Sequence, residues 1–205
     1  MHTIRPLRLS DNDQVTNICG RTGFNGGETR ELIREDGIIA NYFALPYLAY
    51  PEALALGIDT PSGLGGYILG VPSTDAFNQW MNRHWLTNVR NRYPVTLEPQ
   101  SDFEQFLLDC IHRDCIFPDF CAGYPGHLHI DLLPALQGQG WGRALMDRFL
   151  QELREQGCPG VHLAVSTNNP GAIQFYLALG FTVIQEEPGT MFMGRRTKRT
   201  KNYSC

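Results

Sequence analysis

Residues 137–142, Gln-Gly-Gln-Gly-Trp-Gly, constrain this chain more than any other stretch. Upstream, HLHIDLL (127–133) is an apolar run with polar interruptions, the pattern of a mostly buried strand. Downstream, RALMDRFLQELREQG (143–157) carries leucine and methionine at helical spacing. The glycine run is therefore a strand-to-helix hinge. Glycine admits backbone angles that a side chain forbids, and it lets the main chain approach a ligand without a Cβ in the way. Free N–H groups in the first turn of the following helix form a site for phosphate oxygens.

Spacing chooses among the loops that share this logic. A P-loop requires Gly-x-x-x-x-Gly-Lys-Ser/Thr, and no Lys-Ser or Lys-Thr follows these glycines. The dinucleotide fingerprint Gly-x-Gly-x-x-Gly is not met by Gly138, Gly140 and Gly142, and no acidic residue ends a strand about 20 residues on. What fits is Gln-x-x-Gly-x-Gly from Gln137, with Pro134 three residues before it and Arg143 straight after. In this the chain resembles the GNAT superfamily of N-acetyltransferases, whose acetyl-CoA pyrophosphate loop is Arg/Gln-x-x-Gly-x-Gly/Ala between a strand and a long helix. A second half of that signature follows in order: the strand VHLAV (161–165), then Asn169, Ala172, Phe175-Tyr176 and Gly180-Phe181.

The 205 residues, 42% hydrophobic and 11% aromatic, suffice for one domain with an ordinary core. No apolar run reaches the ~20 residues of a membrane helix, and the N-terminus lacks the apolar core of a signal peptide. A soluble, cytoplasmic protein is expected. Six cysteines without a Cys-x-x-Cys pair suggest reduced thiols, with neither a zinc site nor a disulfide framework. A net charge of −4 argues against a nucleic-acid partner, although RRTKRTK is a local basic run at the C-terminus.

In chain order, HTIRPL (2–7) reads as an edge strand, followed by a helix with Ser10 as N-cap and Val15, Ile18 and Cys19 as its buried stripe. Residues 24–50 mix a short charged helix with an aromatic, proline-containing run, expected over an active-site mouth. EALALGID (52–59) and GLGGYILGV (63–71) are two strands joined by a turn. Between them and HLHIDLL lies a helical insertion, about 73–126. One helix in it runs over 73–94, capped by Ser73 or Thr74, and another over 102–115 with Phe103, Phe106, Leu107 and Ile111 inward. The expected fold is an α+β mixed sheet of about seven strands, antiparallel through the first four. Strands four and five are parallel through the crossover helix 139–156 and splayed to admit a cofactor. Residues 1–196 form one domain, and 197–205 a basic tail.

The insertion sharpens the resemblance. The opening HTIRP, Ile18-Cys19, the run from Gly66 to Thr74 (GYILGVPST), Phe77 with its helix, HIDLLP (129–134) and MGR (193–195) are similar to the C-terminal acetyltransferase-like domain of O-GlcNAcase and its stand-alone bacterial relatives. The animal domain of that group has lost the glycine loop. This chain keeps it, so the resemblance implies a working acetyl-CoA site at Leu132, Leu133, Gln137, Gly138, Gln139, Gly140, Trp141, Gly142, Arg143, Asn169 and Tyr176.

Acetyl transfer from a thioester to an amine needs a neutral amine, a polarised carbonyl and a proton for the leaving thiolate. An alkyl amine with a pKa of ~10.4 is about one part in a thousand neutral at pH 7, so a base helps. In a regular strand His127, His129 and Asp131 share one face. Asp131 ranks first as base and His129 second; the resemblance adds weight to Asp131, since the corresponding Asp of the O-GlcNAcase domain has been proposed as catalytic. A bulge in this strand, usual in the family, would break simple alternation, opening the reverse order, and would free an N–H near Leu132 or Leu133 to bond the thioester oxygen. The resemblance makes Tyr176 the proton donor to the thiolate, and Phe175 and Phe181 core. Cys121 and Cys158 have no activating neighbour in sequence. No metal is implied, and the oligomeric state, monomer or homodimer, stays open. Two functions stand: an N-acetyltransferase acting on an amine of unknown class, or a non-catalytic module that binds CoA or a protein.

Overall fold

HLHIDLL lies in the middle of a seven-stranded sheet of order β1-β2-β3-β4-β5-β7-β6, with every neighbouring pair antiparallel except β4 and β5. The computed structural model describes residues 2–197; the basic run beyond Thr197 lies outside the described residues. In chain order the elements are β1 (Thr3–Pro6), α1 (Asn12–Thr22), α2 (Asp36–Phe43), α3 (Leu45–Ala49), β2 (Leu54–Thr60) and β3 (Gly63–Val71). The insertion follows, with α4 (Thr74–Trp80), α5 (Leu86–Arg92) and α6 (Asp102–His112). Then come β4 (Gly126–Leu132), α7 (Trp141–Glu155), β5 (Gly160–Ser166), α8 (Pro170–Ala178), β6 (Thr182–Glu187) and β7 (Thr190–Arg196). No helix among the described residues is long and apolar enough to cross a membrane.

The sheet separates two cores. On one face α1 to α6 cover Leu64, Tyr67, Leu69 and Val71. On the other, α7 and α8 cover Ile58, Ile68, Leu128, Leu163 and Met193. Helix α7 shows why the sequence folds this way: Leu145, Met146, Phe149, Leu150 and Leu153 are all buried, one stripe at 3.6-residue periodicity. Removing each from water is worth about 1.5–3 kcal/mol, so this stripe, not helix propensity, holds the crossover on the sheet.

Four local expectations change. Asp11, not Ser10, precedes α1, and it makes no side-chain cap. Its carboxylate instead accepts from Arg5 at 2.8 Å and from the Arg8 N–H at 2.8 Å, tying β1 to the turn. The charged segment before α2 is a set of turns rather than a helix, because tertiary partners take its backbone. The Thr29 N–H donates to Gly20 O, and the Arg34 N–H to Glu104. Glu104 is fully buried and also accepts the Arg34 guanidinium at 3.0 Å and the Gln100 N–H at 2.6 Å. The helix expected over 73–94 is interrupted by a wider π turn, Met81–Trp85, between α4 and α5, while its Ser73 cap is present, accepting from the Ala76 N–H at 3.3 Å. On α6, Phe106 lies 48% exposed; Leu107 and Ile111 point inward and Phe103 is half-buried.

Candidate active site

Strands β4 and β5 pair only at Gly126 with Val161 and His127 with His162, whereas β5 pairs with β7 over seven residues. From Leu128 onward the two parallel strands part, leaving a slot that opens at the C-terminal end of β4. The expected bulge is absent. β4 pairs with β3 in unbroken register from His127 with Val71 to Leu132 with Gly66, so the alternation of faces stands. That register also decides which amide is free. The Leu133 N–H donates to Gly65 O at 2.9 Å on the β3 side. By antiparallel alternation the Leu132 N–H and C=O point the other way, into the slot. Gln137 confirms the direction, its side-chain amide donating to Leu132 O at 2.9 Å. Leu132, not Leu133, is therefore the residue whose N–H faces the slot.

Beyond the slot the chain turns through Gly138 (φ 71°) and Gly140 (φ 85°), both left-handed. A Cβ at either would meet nothing within 4 Å, so the outer side of this loop is open. Gly140 is the N-cap of α7 and supplies no side chain to the first-turn N–H groups. Open space, unpartnered amides and the positive end of a helix fit the pyrophosphate of acetyl-CoA. Arg143, exposed in that first turn, adds a cation with no ion pair among the described residues. The remaining loop residues have inward roles. Gln139 donates to Ala135 O, Trp141 lies 5.4 Å from His2, and a Cβ on Gly142 would press to 3.1 Å from the Phe175 ring. Gly142 is thus glycine so that α7 and α8 can approach. Asn169 caps α8, accepting from the Ala172 N–H at 3.1 Å.

Asp131 and Tyr176 lie on opposite faces of the sheet, on either side of the slot. Tyr176 is 8% exposed and packed between Phe175 and Phe181, and its hydroxyl makes no hydrogen bond among the described residues. Burial, with the nearby charge of Asp131, raises its pKa, so it holds its proton at neutral pH. Asp131 is half-buried and accepts the Tyr67 hydroxyl at 2.7 Å on Oδ2. Burial raises its pKa, and the Tyr67 hydrogen bond opposes that rise. His129 is also half-buried, with the Phe43 and Tyr47 rings each 5.6 Å away; burial and then His162 bring its pKa down to about 4. Such an imidazole is neutral but a weak proton acceptor.

The third member of this face is committed elsewhere. His127 lies between the Tyr47 hydroxyl, 2.5 Å from Nε2, and Thr74 Oγ1, 2.8 Å from Nδ1. The Thr74 hydroxyl donates its only proton to Pro125 O at 2.7 Å. His127 must therefore carry its proton on Nδ1 and accept from Tyr47. Burial of Cys121 and Cys158 raises their thiol pKa values, which leaves neither suited to carry an acyl group. Tyr67 was not anticipated as part of the site; its place opposite Asp131 depends on a β3–β4 register that the sequence leaves open. No group of His, Cys, Asp and Glu among the described residues could hold a metal.

The fold is shared with known proteins. The profile of the acetyltransferase (GNAT) family matches residues 114–181. A mycothiol acetyltransferase of Nocardiopsis dassonvillei is 46% identical over 50 residues, 24% of this chain and 15% of that protein. The matched segment is thus a small part of that relative. Among solved structures, the PaiA N-acetyltransferase of Thermoplasma acidophilum, in complex with coenzyme A, shares the fold at 14% identity and a TM-score of 0.60, covering 96% of this chain and 99% of that one. SsHAT is 36% identical with a TM-score of 0.89, the similarity covering 97% of this chain and 99% of that one. Its end-to-end similarity, the family match over the slot and the glycine loop show that the chain belongs to the acetyltransferase (GNAT) family, N-acetyltransferases that take their acetyl group from acetyl-CoA.

Proposed function

We propose that the protein transfers the acetyl group of acetyl-CoA to a primary amine by direct attack on the thioester. The observation that carries this reading is the slot between β4 and β5. It has the free Leu132 N–H on its edge, Asp131 on one side and Tyr176 on the other. The amine nitrogen adds to the thioester carbon while the Leu132 N–H bonds the developing oxyanion. The amine's surplus proton passes to Asp131, directly or through water. As the C–S bond breaks, the Tyr176 hydroxyl protonates the thiolate, and the two side chains recover their protonation states from solvent. Asp131 outranks His129 as base, because burial raises the proton affinity of the carboxylate and lowers that of the imidazole.

Pyrophosphate binding is assigned to the N–H groups of residues 138–143, with Arg143 beside them. Gln137 and Gln139 brace the loop that presents those groups. Kinship with the acetyltransferase-like domain of O-GlcNAcase rests on HIDLLP, GYILGVPST and MGR. The intact loop separates this chain from the degenerate animal form. Five free cysteines among the described residues fit a reducing, cytoplasmic setting.

Thiol release from acetyl-CoA, measured against alkyl amines, amino sugars, peptide N-termini and lysine peptides, tests the proposal. Amine-dependent release that Tyr176→Phe slows supports it. Tight acetyl-CoA binding with no release on any acceptor would favour a binding module instead.

A further inference from the structure

We propose that Tyr67 is a positioning residue of the transfer reaction: it holds one oxygen of the Asp131 carboxylate so that the other faces the amine. This rests on Asp131 being the base. Tyr67 sits on β3 directly opposite Asp131 in the ladder, and both side chains project to the same face of the sheet. Its ring is 1% exposed, so packing fixes where the hydroxyl goes, and that hydroxyl donates to Asp131 Oδ2 at 2.7 Å. Among the described residues Oδ1 accepts no hydrogen bond, the nearby Thr22 hydroxyl being turned to Ile18 O, and Oδ1 is not among their buried unsatisfied atoms, so it keeps contact with solvent. The carboxylate thus has one committed and one presented oxygen. The groups on the same face as Asp131 are Cys19 and Thr22 of α1, Tyr67 of β3 and, two residues back on its own strand, His129; Tyr176 of α8 lies across the slot on the other face. The Thr22 hydroxyl donates to Ile18 O at 2.8 Å, and among the described residues Asp131 forms no ion pair. Tyr67 is the neutral donor set against the burial that raises its proton affinity.

A hydrogen bond to the charged form lowers a carboxyl pKa; removing it must raise that pKa. The test titrates the Asp131 carboxyl by 13C NMR in the full chain and records kcat/KM against pH with the acceptor that the amine panel identifies. Tyr67→Phe keeps the ring. It is expected to move both the carboxyl titration and the rising limb of the profile upward by about one unit, with acetyl-CoA affinity unchanged. On the acid side kcat/KM then falls about tenfold, and activity recovers at higher pH. A difluorotyrosine placed at position 67 alone is a stronger donor and is expected to shift both downward, a direction that loss of packing does not produce. If the carboxyl titration is unmoved by both variants while Asp131→Asn abolishes the limb, the role of Tyr67 is overturned and Asp131 stays the base. If the carboxyl shifts and the limb does not, the base assignment falls and the Tyr67 hydrogen bond stands.

Discussion

The two faces of the sheet reach the same slot by different means. The α7/α8 face presents backbone: left-handed glycines, N–H groups with no side-chain cap and an amide turned away from β3 by strand alternation. The opposite face presents side chains: the Asp131 carboxylate held by Tyr67, and, two residues back on the strand, His129 between the Phe43 and Tyr47 rings. Backbone sites depend on spacing along the chain, whereas side-chain sites depend on which strands come to lie side by side. The division predicts that variants on one face change cofactor affinity and variants on the other change turnover.

The largest effect is expected on the acceptor face. Asp131→Asn should lower turnover by ~10²–10⁴ while acetyl-CoA affinity, read by calorimetry, stays within error. Weakened cofactor binding in that variant would break the division. On the cofactor face, Gly140→Asp adds left-handed strain and a carboxylate beside the pyrophosphate, and should weaken acetyl-CoA binding by ~10² or more with the fold intact by circular dichroism. Gly142→Ala separates packing from charge: its methyl presses on Phe175 and adds no carboxylate, so it should lower the melting temperature and weaken acetyl-CoA binding less than Gly140→Asp does. Tyr176 belongs to the cofactor face yet is the proposed proton donor. Tyr176→Phe should cut turnover by ~10–10² at constant affinity, sharpening the comparison by showing one side chain of that face at work in proton transfer.

The smallest effect lies outside the slot, where Glu104 anchors the turns before α2. Burial opposes its charge, but the Arg34 side chain, then the Arg34 and Gln100 N–H groups, outweigh burial and lower its pKa. Its folded-state pKa lies below the unfolded one. Its contribution to stability is therefore complete above the ordinary carboxylate range and is lost as pH falls through that range to the lowered value. Glu104→Gln should lower the melting temperature by a few degrees at neutral pH and flatten its acid dependence, with turnover little changed.

Much of the cofactor face was legible in the sequence. Gln137 to Arg143 and Asn169 to Tyr176 are local patterns, and strands 63–71 and 161–165 announce themselves as apolar runs between turn residues. The acceptor face was less so. That His127, His129 and Asp131 share a face follows from strand alternation, but nothing local reveals that His127 is sealed into a structural network while His129 packs between aromatic rings with no hydrogen bond among the described residues. Tyr67 went unread for the same reason, its role depending on a partner 64 residues away. The charged turns before α2 misled because Glu104, 70 residues on, takes the Arg34 amide that a helix would have used.

The chain from Tyr47 through His127 and Thr74 to Pro125 crosses the structure at the last residue that β4 shares with β5. Every proton in it has one place to go, and it joins α3, the start of the insertion and β4. The vertex of the slot is therefore pinned, like the rivet of a pair of shears. Motion that admits or releases the thioester has to come from the blades, the β5–α8 arm or the free end of β4, and a stiff rivet keeps such motion an angle change at the glycine loop rather than a slide of one strand along the other.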